Sequence, residues 1–126
     1  MKHLRSERGS VAVEFALILP ILVAVLLGIM EFGRAYNAQI TVTAAAREGA
    51  RVMSIQGNVA TAQTAVQTAS PALNPQLTKG QIQVTPASCT PGANVTVTVT
   101  YRLKFITGFL TDGVDLKGKG VMRCGG

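Results

Sequence analysis

A single apolar run constrains this chain more than any other feature. Across residues 11–30 the only ionisable side chain is Glu14. Twenty helical residues at about 1.5 Å each reach roughly 30 Å, the thickness of a bilayer's hydrocarbon core. The run therefore predicts one membrane-crossing helix. It is longer than the 7 to 15 apolar residues usual in a secretory signal, and no small-x-small site follows closely. Lys2, Arg5 and Arg8 precede it, whereas Arg34 is the only cation in the fifteen residues after it. This asymmetry predicts a single pass through the cytoplasmic membrane, with the N-terminus in the cytoplasm and the C-terminal part outside.

Glu14 requires a reason. A carboxylate at mid-bilayer costs about 2.5 to 3.5 kcal/mol on insertion scales. In an uncut chain it lies three residues inside the span, near headgroups and the positive end of the helix dipole. A cut between Gly9 and Ser10 gives a second reading, in which Glu14 becomes the fifth residue. The new α-amine, cationic below a pKa of about 8, then lies one helical turn away on the same or a neighbouring chain. Two costly charges become a pair.

The net charge of +6 raises the question of nucleic acid. Beyond the span, cations such as Arg34, Arg47, Arg51, Lys104, Lys117 and Lys119 are scattered along the sequence, with no Trp and only two Tyr. This pattern predicts no nucleic-acid partner. Nor is there a catalytic constellation: beyond the span's edges the carboxylates are Glu48, Asp112 and Asp115, and the only histidine is His3. The reading is of a protein without enzymatic activity, metal or cofactor.

Beyond residue 30 the helix is expected to continue. No proline interrupts residues 30–56, and alanine, the best helix former, is frequent from 43 to 53. Val42, Ala45, Ala46, Gly49, Val52 and Met53 recur at spacings of three and four, leaving Arg47, Glu48 and Arg51 off the stripe. Small residues there admit a close backbone, and the chain's own distal domain is the favoured occupant. Pro20 predicts a kink or local unwinding. Gly57-Asn58 reads as a helix stop and a new N-cap. Val59, Ala62, Val66 and Ala69 then mark a short second helix with a Thr- and Gln-rich outer face, and residues 71–80 read as a loop.

After Gly80 the period becomes two. Ile82 and Val84 suggest a first strand. Val95, Val97, Val99, Tyr101, Leu103 and Phe105 alternate with polar residues in a second. Val114, Leu116, Gly118, Gly120 and Met122 suggest a third, opposite Asp115, Lys117, Lys119 and Arg123. An antiparallel sheet with its apolar face on the helix follows. Gly118 and Gly120 mark either a close approach or a weak edge. A turn near Phe109 and Leu110 brings the neighbourhood of Val95 opposite Cys124, and the preceding loop can carry Cys89 alongside. Outside the cytoplasm this predicts a Cys89–Cys124 disulfide, whose closure of a 35-residue loop contributes about 4 kcal/mol in the chain-entropy model. The apolar tip at residues 105–110 is either covered core or a contact for a partner or lipid.

The N-terminal motif resembles a known family. Arg8-Gly9-Ser10-Val11-Ala12-Val13-Glu14-Phe15-Ala16-Leu17, with Pro20 and the downstream Ala45-Ala46-Arg47-Glu48-Gly49-Ala50-Arg51, is similar to TadE-like minor pseudopilins of tight-adherence (Flp) pilus systems. Its first part looks like the class III signal of type IV prepilins. The resemblance covers about the first 55 residues. It implies cleavage between Gly9 and Ser10 by a membrane prepilin peptidase, with Glu14 and Phe15 acting in assembly and Pro20 in helix melting. It also implies other pilins and pseudopilins, the pilus assembly platform and membrane lipid as partners. Phe15 where major Flp pilins commonly carry tyrosine, and some 70 residues beyond Gln56, point to a minor subunit at the initiation or tip of a surface pilus. The domain reading is a leader at 1–9, a long helix at 10–56 with its span at 11–30, a short helix and loop at 57–80 and a sheet at 81–126. This is an α+β, pilin-like chain. The alternative is an uncleaved single-pass anchor whose external domain binds a ligand or envelope component.

Overall fold

The computed structural model describes residues 4–108 and 111–125. Phe109 and Leu110 at the apolar tip, and Lys2 and His3 near the N-terminus, lie outside the described residues. The elements in chain order are helix α1 (Leu4–Gln56), helix α2 (Val59–Thr68), a 3-10 turn (Lys79–Gln81) and strands β1 (Ile82–Thr85), β2 (Asn94–Lys104) and β3 (Gly113–Arg123). The chain divides into two compact units, Met1–Gly33 and Arg34–Gly126.

The first unit is the N-terminal part of α1. Its mean hydropathy peaks at 2.7, and none of that window is buried, so it is long and apolar enough to cross a membrane. Helical structure begins at Leu4 rather than Ser10, because nothing in residues 4–9 breaks a helix: Gly9 costs only about 1 kcal/mol relative to alanine. The helix runs unbroken through Pro20.

The second unit is α+β. Its sheet is antiparallel in the order β1-β2-β3. Val95, Val97, Val99, Tyr101 and Leu103 of β2 are all buried, as alternation requires. They meet the α1 stripe of Ala38, Val42, Ala45, Ala46, Ala50 and Met53, which is buried as well. The small residues of this stripe therefore serve the chain's own head. Gly49 illustrates the fit, since an added Cβ there would collide with Val66 of α2 and lie 3.3 Å from Val97 Cγ1.

The ambiguity over Gly118 and Gly120 resolves as close approach. A Cβ on Gly118 would stand 2.6 Å from the Val42 carbonyl oxygen, and one on Gly120 would press on the Ala46 carbonyl. Two strand residues advance about 6.7 Å and four helical residues about 6 Å, so each inward β3 position meets a successive turn of α1. Hydrogen bonds extend this register at both ends: Gln39 Nε2 donates to the Lys117 carbonyl at 2.9 Å, and the Gly125 amide donates to the Ser54 carbonyl at 3.2 Å. Met122, expected on the inner face, is 39% exposed.

Gly57 ends α1 with φ +64°, a conformation only glycine adopts freely, and its amide donates to the Met53 carbonyl. Asn58 then caps α2 by accepting from the Thr61 amide at 3.2 Å. Ala62 and Val66 of α2 are buried. The segment read as a plain loop contributes core: Leu73 and Leu77 are buried. Gln67 donates to the Leu77 carbonyl at 2.8 Å and Gln63 to the Ile82 carbonyl at 3.2 Å, so these glutamines, read as outward, tie α2 to the chain that follows. On α1, Arg51 hydrogen-bonds Glu48 at 2.7 Å and holds its carboxyl below the usual range. The pair is exposed and adds little to stability.

Candidate functional site

Two regions carry the candidate residues, one in each unit. In the first, Gly9, Ser10, Glu14, Phe15 and Pro20 all lie on α1, and all are exposed in the single chain. Ser10 and Glu14 are four residues apart and so share a face, one turn from each other. Phe15 is 63% exposed, within a continuous apolar surface that includes Val11, Ile18 and Leu22. No heavy atom lies within 4 Å of a Cβ built on Gly9, so packing does not demand glycine there.

The second region is the closed end of the head. Cys89 and Cys124 are disulfide-bonded, with Cα atoms 5.6 Å apart, a span normal for the bond. The turn between Cys89 and β2 is sewn to the end of β3. The Cys124 amide donates to the Ala93 carbonyl at 2.7 Å, and the Gly92 amide donates back to the Cys124 carbonyl at 3.1 Å. Met53, Ala62 and Val95 pack around Cys124 as a small second core. At the other end of the sheet, Phe105 packs partly against the main core while Ile106 is 70% exposed. Among the described residues, no three His, Cys, Asp or Glu side chains gather.

Two features escaped the sequence reading. The first is a bond from Tyr101, buried as its place in the alternation requires: its hydroxyl donates to the Pro75 carbonyl at 3.1 Å, anchoring the loop before β1. Burial raises its pKa above the usual tyrosine value, against a smaller lowering by the Arg34 charge. The second feature is the outer face of the sheet, where strand register gathers cations that sequence order separates. Thr98 lies opposite Lys119, Thr100 opposite Lys117 and Asn94 opposite Arg123. The alternation of residues 94–104 and 113–123 puts these cations opposite the apolar positions of each strand, but which of them become neighbours depends on the register between the strands.

Residues 9–51 match the family model described as TadE-like protein. Over that stretch the chain is similar to this family. No curated protein and no solved structure matches the chain. The TadE-like stretch opens on Gly9, includes Glu14, Phe15 and Pro20, and closes at Arg51, on the part of α1 that packs against the sheet. The disulfide and most of the head lie beyond it.

Proposed function

We propose that this TadE-like chain is a minor pseudopilin of a Tad (Flp) pilus. A prepilin peptidase cuts it between Gly9 and Ser10. The apolar part of α1 resides in the cytoplasmic membrane, with the N-terminus in the cytoplasm and the disulfide-closed head outside. Assembly transfers α1 from lipid into contact with other pilins and pseudopilins at the assembly platform, where the subunit initiates or tips the filament. The observation that carries this reading is the position of the family match, which begins at Gly9 itself and includes the lone carboxylate of the apolar run.

The chemistry is electrostatic. A cut before Ser10 creates an ammonium among the helix's unpaired N-terminal amides, and Glu14 can accept from it along the chain or across to a neighbour. In a bilayer neither charge has a cheap environment, so a docking geometry that pairs them is favoured over separated subunits. Phe15, beside Glu14, supplies apolar area to the same junction.

The deciding experiment is the N-terminal sequence and intact mass of the protein extracted from membranes of a cell carrying its own peptidase. A chain beginning at Ser10 is expected. One that still begins at Met1 or Lys2 overturns the processing and leaves an uncleaved anchor with an external binding domain.

A further inference from the structure

The sheet's outer face carries five cations, Arg102, Lys104, Lys117, Lys119 and Arg123, against one carboxylate, Asp115. All six are exposed. Asp115 is engaged by Arg102 across the strands at 3.1 Å, so the charge that remains is wholly positive. Down the middle of the face runs a threonine ladder on the central strand β2: Thr96, Thr98 and Thr100. Successive hydroxyls of such a ladder are about 6.7 Å apart, and the neighbouring strand stands about 4.8 Å away. Lys117 and Lys119 therefore flank Thr100 and Thr98 directly.

Lysines on an edge strand discourage unwanted strand pairing, which accounts for Lys117 and Lys119 on β3. The same account reaches Arg102 and Lys104, which lie beyond Val99, where β1 no longer pairs with β2, but it is silent on the threonine ladder beside them. The four cations left uncompensated repel one another, and an anion lying across them relieves that repulsion.

From this arrangement we infer that the outer face of the sheet is a docking surface for an acidic polysaccharide. A chain of sugars carrying carboxylates presents both groups that the face is built to meet. Ammonium and guanidinium groups pair with its carboxylates, and threonine hydroxyls donate to and accept from its hydroxyls. Other polyanions fit less well. No aromatic ring stands on this face to stack a base, as single-stranded nucleic acid requires. Val121 is its only large apolar side chain, so it lacks the buried anchor that a tight protein interface uses.

The test uses the full chain in phosphatidylcholine nanodiscs and a fluorescent oligogalacturonate, read by anisotropy between 25 and 200 mM NaCl. Saturable binding is expected, with log K falling linearly as log salt rises. A Lys117→Gln/Lys119→Gln variant should bind about tenfold more weakly, with the salt slope shallower by about one to two. Thr98→Val/Thr100→Val should weaken binding at an unchanged slope, a signature of hydroxyl contacts that net charge alone does not produce. Arg47→Gln/Lys79→Gln, off the face, should leave binding as it was, and near-UV circular dichroism checks that each variant is folded. The inference is overturned if no saturable binding occurs at 25 mM salt, or if the off-face variant loses as much as the on-face one. It is equally overturned if duplex DNA or polyglutamate of matched charge displaces the probe at equal or lower concentration, because the surface then reads charge without sugar.

Discussion

Replacing Gly120 by alanine tests the register of α1 on β3 through the sign of its effect. Without that contact, Gly→Ala in a strand should stabilise, because it removes about 0.4–1 kcal/mol of unfolded-state freedom. With it, the new methyl group would lie 2.6 Å from the Ala46 carbonyl carbon and 2.7 Å from Arg47 Cα, where ordinary contact begins at 3.4 Å. Relief of the closest contact, with the Ala46 carbonyl oxygen, requires α1 and β3 to separate by about 1 Å, and the obstructing atoms are backbone that no rotamer change can move. Overpacking of this kind costs about 1–3 kcal/mol, and the rigid neighbour places it at the upper end. After the entropic gain, a net loss of about 2 kcal/mol remains. With a urea m-value of about 1–1.5 kcal/mol/M for so small a head, the unfolding midpoint should fall by about 1.3–2 M. The assay is urea titration of the full chain in detergent with its disulfide intact, followed by the near-UV tyrosine signal. Gly80→Ala is the control, since its Cβ would meet only Thr78 Oγ1, at 4.0 Å. Gly118→Ala should behave like Gly120→Ala, and the double variant should lose less than the sum, because one displacement of α1 relieves both contacts. A Gly120→Ala midpoint at or above the native one would refute the close approach.

Breaking the Cys89–Cys124 bond, by reduction or by a double alanine substitution, should lower head stability by about 4 kcal/mol, seen as protease sensitivity confined to the head; unchanged resistance under reducing conditions would count against this. Tyr101 has its pKa raised in the folded head, so the stability it confers is full below the unfolded value near 10 and is lost as pH rises through the folded value. Tyr101→Phe should cost about 1 kcal/mol at neutral pH through the lost bond to Pro75 and abolish the part of the alkaline loss that the native chain alone shows, measured as unfolding midpoints from pH 8 to 12. Glu14→Ala should be processed normally yet be missing from sheared surface filaments; normal incorporation would remove Glu14 from assembly. Gly9→Leu should leave the head's unfolding midpoint unchanged, since nothing surrounds Gly9, while the processed form disappears from membranes; continued processing would show that the peptidase does not read this glycine.

What could be read from the sequence follows from how locally each feature is encoded. The end of α1 at Gln56, the cap at Asn58 and the phase of β2 depend on residues next to one another, and each stands where its pattern puts it. The disulfide was legible because antiparallel pairing of β2 with β3 brings Cys124 opposite the start of β2. Tertiary partners were not. Gly118 alone cannot declare whether a helix lies over it, and the choice depended on Val42, 76 positions away. Leu73 and Leu77 sit among prolines and an asparagine, a local context that signals a turn, and only the packing shows that they close one end of the core. Gln63 and Gln67 fit a solvent-facing pattern equally well until the carbonyls of Ile82 and Leu77 are found beside them.

The same limit explains the cationic face. Residues 102–104 and 117–123 are separated by a connection whose length says nothing of which side chains will be neighbours. Pairing Arg102 with Asp115 settles every later pair in the hairpin, because the side-chain period of a strand is two. A one-residue slip would send Leu116 to solvent, and the core forbids it. The apolar face thus dictates the arrangement of charges on the opposite face without any charge taking part. Selection on this protein could then alter its outer charges freely, since changing Lys117 or Lys119 disturbs neither register nor core. That both positions are cationic, beside two further cations on the central strand, is therefore a property that folding does not require.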